Sequence, residues 1–118
     1  MNFEMNSVQN IQPEVFGLFE LSDEGTVLYS RCDSPRSTQQ LSQTVGRNFF
    51  DEVAPFENTD EFRRYLNRFI RSDFPSESFN FTCQINNQNI PAKVMLVRII
   101  ERSSAQRAKT TIVDIRRA

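Results

Sequence analysis

The 118-residue chain contains no histidine. That removes the neutral imidazole used as base in Ser-His-Asp and Cys-His centres, as a haem ligand, and in nearly every catalytic zinc site. Cys32 and Cys83 lie far apart and lack the close spacing of a zinc ribbon or redox pair. The carboxylates of Glu20, Asp23, Glu24, Asp51 and Glu52 accompany no nucleophile, glycine-rich phosphate loop or metal-ligand set. These residue types argue against an enzyme and against a metal site. In a chain without histidine, an axial haem ligand would have to be Cys32, Cys83, Met95, Tyr29 or Tyr65. Cys83, on the apolar phase of a strand, reads instead as a small core residue. No cofactor is expected; haem or another small apolar ligand is the alternative.

Net charge points the same way. With 14 Lys+Arg against 15 Asp+Glu the balance is −1, so no global basic field draws nucleic acid or anionic lipid, and neither is expected as a partner. Arg64, Arg68 and Arg71 share one helix face, either a solvated surface or a seat for an anion or an acidic partner. The apolar area is carried by 11 Phe and no Trp. Phe49, Phe50, Phe56, Phe69, Phe79 and Phe81 could line a pocket for a flat apolar ligand, and Phe19, Ser30, Val53 and Cys83 are further candidates for its wall. The competing reading is that they are simply core.

The elements that would position these residues follow from the pattern. Val15 to Leu21 and Thr26 to Tyr29 flank the turn signal Ser22-Asp23-Glu24-Gly25 and read as a hairpin. Asp33 to Gln43, rich in Ser and Gln, reads as loop and short helix. Asn58 with Glu61 has the spacing of a capping box. Phe62, Tyr65, Leu66, Phe69 and Ile70 then form one helical face, ended by Ser72-Asp73-Phe74-Pro75. From Ser78 the alternation of Phe79, Phe81, Cys83 and Ile85 predicts a half-buried strand, followed by a turn at Asn86 to Asn89. Ala92 to Glu101 reads as a long strand apolar on both phases, Val94, Leu96 and Ile100 on one and Met95, Val97 and Ile99 on the other. Ser103 to Lys109 reads as loop, and Thr110 to Ile115 as the last strand. Strand, strand, helices, then three strands implies an α+β domain, an antiparallel sheet with helices packed on one face.

Within this frame, Gly46-Arg47-Asn48-Phe49-Phe50-Asp51-Glu52-Val53-Ala54-Pro55, followed by Asp60-Glu61-Phe62, resembles the central segment of the photoactive yellow proteins, photosensors of the PAS domain family. Weaker similarity runs through Phe16-Gly17, the Asp23 to Gly25 turn, Pro91, Lys93 and Val94. The resemblance implies a five-stranded PAS-like sheet over residues 15–118, with 1–14 as an N-terminal cap segment. It also implies where the family's chemistry would sit. The cysteine that carries the coumaroyl thioester falls at Phe56, so no thioester can form. The tyrosine and glutamate that hydrogen-bond the phenolate fall near Ser30, with Tyr29 adjacent, and Ser34. What carries over is the scaffold and a signalling role, not light sensing.

Three large aliphatic side chains on the second phase of the long strand need a cover. A second subunit would make the protein a homodimer through Met95, Val97 and Ile99; the N-terminal segment, with Phe3, Met5 and Val8, could pack beside that seam or cover it within one chain. No run reaches the roughly 20 apolar residues of a membrane span, and Met1 to Pro13 lacks the basic flank and apolar stretch of a signal peptide. The expectation is a cytoplasmic PAS-type sensory or regulatory domain that binds a small apolar ligand or a partner protein, with a ligandless dimerisation module as the alternative.

Overall fold

The computed structural model describes residues 16–32, 44–54, 56–102 and 107–118. Five strands, β1 (Gly17–Ser22), β2 (Val27–Cys32), β3 (Ser76–Ile85), β4 (Gln88–Arg102) and β5 (Arg107–Arg117), form one antiparallel sheet in the order β2-β1-β5-β4-β3. Between β2 and β3 lie a π-helical turn, Phe49–Val53, and the helix α1, Thr59–Arg71. This is the α+β architecture expected. No helix among the described residues is long and apolar enough to cross a membrane.

The strands run further than the pattern implies. The β3–β4 turn is only Asn86-Asn87, both at positive φ (51° and 63°), a turn that matches strand twist and that asparagine tolerates. Pairing therefore resumes at Gln88, and Pro91 lies inside β4 opposite Thr82. β5 begins at Arg107, so Arg107 to Lys109 are strand where a loop was expected; each pairs with β4, although two of the three are charged residues. Backbone pairing costs such residues little at the end of a two-strand ribbon.

Phe19, Leu21, Val27, Phe81, Cys83, Ile85, Ala92, Val94, Leu96, Val113 and Ile115 cover the inner sheet face and are buried, and α1 lays Phe62, Leu66 and Phe69 on them. Ile100 shares the phase of Val94 and Leu96 but is 46% exposed, because β4 outruns the helix that covers its middle. The position between them in phase is Arg98, and its guanidinium closes the C-terminal end of α1. Nη2 donates to Phe69 O (2.6 Å) and Ser72 O (2.8 Å), Nη1 to Ile70 O (3.2 Å) and Nε to Phe74 O (3.2 Å). Phe69 and Ile70 are in the last turn of α1 and Ser72 and Phe74 just beyond it, so the cation sits where a helix exposes its carbonyls, at the negative end of its dipole.

The Asn58 and Glu61 capping box does not form. Asn58 precedes α1 without a side-chain bond to it. Instead its amide donates to Thr82 O (2.8 Å) and accepts from Gln84 N (3.1 Å), while Glu57 N donates to Gln84 O (2.6 Å). An edge strand with open main-chain groups competes successfully for the same amide. The box appears one element earlier: Asn48 Oδ1 accepts from Phe50 N (2.9 Å) and Asp51 N (3.0 Å), and Glu52 accepts from Asn48 N (3.2 Å).

Candidate functional site

The segment that resembles the photosensor lies against the inner sheet, held at both ends by main-chain bonds. Gly25 O accepts from Phe49 N (2.8 Å), and Val27 bonds to Arg47 O (2.9 Å) and Gly46 N (2.7 Å). Gly25 takes φ +90°, and a Cβ there would lie 3.0 Å from the Phe50 ring, so only glycine lets the hairpin turn close on the segment. At the other end Glu57 and Asn58 are fixed to β3, which leaves Phe56 pointing inward with 3% of its surface exposed.

Phe56 meets Phe62 (centroids 5.6 Å apart) and Phe81 (5.7 Å) edge-on, and Phe62 meets Phe81 at 5.2 Å. Phe49 packs edge-on against Phe19 (5.0 Å) and tilted against Phe62 (5.9 Å). Edge-to-face contacts at these separations are favourable for close-packed rings. Of the candidate pocket residues, Phe19, Phe49, Phe56 and Phe81 are thus joined through shared ring contacts, Cys83 is buried in the same core, and Val53 packs on it half-buried. Phe69 is buried two turns further along α1, with the Arg98 guanidinium 4.8 Å from its ring centre. It belongs to the core but to its other end.

The side chains near the expected phenolate sites separate by face. Ser30 pairs with Phe19 and so lies on the inner side of β2, with its Oγ 3.1 Å from Thr44 Oγ1. Tyr29 pairs with Glu20 on the outer side and is 49% exposed. Ser34 lies outside the described residues. Burial pushes the Cys83 thiol up to about 11, which keeps it protonated at neutral pH and suits a packing role over a thiolate ligand. Among the described residues no cluster of His, Cys, Asp and Glu could hold a metal ion.

The other candidate surface is the outer sheet face. Met95 is 47% and Ile99 38% exposed, with Val97 half-buried between them beside Ile112. A shallow groove of about 630 Å³ borders this row, lined by Ser78, Asn80, Lys93, Met95, Asp114 and Arg116 among others. Phe3, Met5 and Val8 lie outside the described residues. Arg98 and Asn48 escape a reading of the sequence as hydrophobic phases, and Asn58 is found by its capping spacing but given the wrong partner. An arginine interrupting an apolar phase, and asparagines flanking elements, were the available signals.

No family model matches the chain. It is 26% identical over 86 residues to photoactive yellow protein of Rhodothalassium salexigens, spanning 72% of this chain and 69% of that protein. A 54-residue stretch, 46% of the chain, is 37% identical to NAD-specific glutamate dehydrogenase of Saccharomyces cerevisiae and corresponds to 5% of that enzyme. In structure it is similar to the PAS domain of Bordetella pertussis BvgS, with a TM-score of 0.61 at 10% identity over 98% of this chain and 88% of that one. It also matches a PAS domain from a two-component sensor histidine kinase, with a TM-score of 0.55 at 14% identity over 96% and 91% of the two chains.

Proposed function

We propose that this chain, which has the PAS fold, serves as a cytoplasmic sensory or regulatory signalling domain that works by protein contact and not as a coumaroyl photosensor or an enzyme. The observation that carries this reading is Phe56. Where the photosensors attach their chromophore, a ring 3% exposed is locked edge-on between Phe62 and Phe81. The site is spent on packing, and the apolar row Met95, Val97 and Ile99 on the outer face is left as the working surface. A second copy across a two-fold axis is the partner that would satisfy the row on both chains at once. Covering three aliphatic side chains contributes several kcal/mol before the entropy of association is subtracted, enough for about a micromolar dimer.

An absorbance spectrum and intact mass of the purified protein test the first half: only the Tyr and Phe ultraviolet bands and the bare polypeptide mass are expected. A visible band or a retained apolar ligand, haem included, would replace this reading with that of a ligand sensor. Sedimentation tests the second half, with a dimer expected for wild type and a folded monomer for Val97→Asp, since a carboxylate cannot be buried unpaired at the seam. A wild type that is monomeric at tens of micromolar ends the dimer assignment.

A further inference from the structure

β3 is an edge of the sheet, and only half of that edge is closed. The groups that face away from β4 belong to alternate residues, as the bonds of Asn58 to Thr82 O and Gln84 N show. In the same phase Ser76, Ser78 and Asn80 turn their main-chain N–H and C=O groups outward, and no bond to another group among the described residues satisfies them. This stretch has no lysine, no proline and no bulge, and its one charged side chain, Glu77, is taken up by Arg68. Over it lies the C-terminal half of α1, located there by the Tyr65 ring stacked on Phe79 (4.3 Å, 9° between planes) and by the Arg68 to Glu77 ion pair (3.2 Å). From Arg64 to Arg71 that half holds three exposed arginines and no carboxylate, and a groove of about 570 Å³ runs along them, with Glu61 one turn earlier also on its wall. Arg68 answers Glu77, whereas Arg64 and Arg71 have no ion pair among the described residues.

From this juxtaposition we infer that Ser76–Asn80 is a docking edge for an extended acidic segment of a partner protein, which adds to the sheet as a sixth strand with its carboxylates under Arg64, Arg68 and Arg71. Main-chain bonds to the edge supply affinity, and the alternate side chains that face the helix supply the choice of charge. A second copy of this chain is the poorer occupant, because a symmetric β3–β3 seam would bring the two arginine-bearing helices together.

The probe is a fluorescein-labelled peptide of alternating Glu and Val, read by fluorescence anisotropy on the full chain, with a Lys and Val peptide as its counterpart. The acidic peptide binds and the basic one does not. Arg64→Glu combined with Arg71→Glu weakens binding by about tenfold or more. Ser78→Pro does the same: its N–H points away from β4, so proline removes the edge donor and leaves the ladder intact. Two further peptides, N-methylated on one or the other alternate set of residues, test the edge without altering the protein; one set abolishes binding and the other leaves it. Failure of wild type to bind, or equal binding of both methylated peptides, overturns the inference, the latter because charge alone would then suffice. So does a dimer of the free protein that Ser78→Pro dissociates, since the occupant would be a second copy.

Discussion

Phe56→Ala empties the position on which the functional reading turns. The ring is 3% exposed and held edge-on by Phe62 and Phe81 at 5.6 and 5.7 Å. Truncating a buried Phe costs about 3–5 kcal/mol, the larger values belonging to sites that cannot collapse. Phe62 is anchored by α1 and Phe81 by β3, and Glu57 and Asn58 tie the following backbone to Thr82 and Gln84, so little can move into the space. A loss of about 4 kcal/mol is expected, from a domain whose whole stability is about 5–15 kcal/mol. Phe56→Leu keeps most of the apolar area and loses the two ring pairs, about 0.5–1.5 kcal/mol each, for a cost of about 1–3 kcal/mol. Urea unfolding followed by circular dichroism at 25 °C measures both, through the midpoint at constant slope. The cavity should also accept a small apolar guest: benzene raises the melting temperature of Phe56→Ala and leaves wild type unchanged. A loss below about 1 kcal/mol would show that the ring is no packing element. Equal stabilisation of wild type by benzene would show that an open pocket exists beside it, and the chromophore position would then be a ligand site after all.

Arg98→Met removes the four carbonyl contacts at and just beyond the end of α1; the two shortest, each about 1.5–3 kcal/mol for a charged donor, set a loss of about 3–6 kcal/mol and a melting temperature lower by roughly 10–20 °C. Arg98→Lys recovers less than half of it, since one ammonium cannot reproduce the fork, and a thermal scan showing Lys equal to Arg would contradict the geometry. Gly25→Ala combines positive-φ strain with a contact of 3.0 Å to the Phe50 ring, while Gly46→Ala at φ +91° meets nothing within 4 Å. The first should therefore unfold at lower urea than the second, whose cost is about 1–3 kcal/mol of backbone strain alone, and the reverse order would be fatal to the proposed closure. For Cys83, whose thiol is raised to about 11, the stabilising protonated form is fully present in folded and unfolded chains below the unfolded value near 9. Above it the unfolded chain ionises first, so stability falls between pH 9 and 11 by up to about 1.4 kcal/mol per unit. Cys83→Ala loses this slope, and an unchanged slope would place its origin elsewhere.

Much of this protein is legible from local pattern. The alternation from Phe79 to Ile85, the i, i+3, i+4 apolar face from Phe62 to Ile70, and the turn signal before Gly25 each report a period of the backbone, and each matches an element. The missing histidine and the phenylalanine at position 56 are equally plain, because the presence or absence of a chemical group is a property of the chain. Tertiary structure decided the rest. It chose which neighbour satisfied each polar side chain: Asn58 left its helix for the edge of β3, Asn48 formed the cap instead, and Arg98, one arginine in an apolar phase, reached across to the end of α1. It also separated Phe69 from the rings around Phe56, and through the pairing of β2 with β1 it chose Ser30 and not Tyr29 for the inner face. Periodicity is set within a few residues of chain, whereas the satisfaction of a donor, the partner of a ring and the open half of an edge depend on segments 20 or more residues apart. Only the packed sheet brings those segments together.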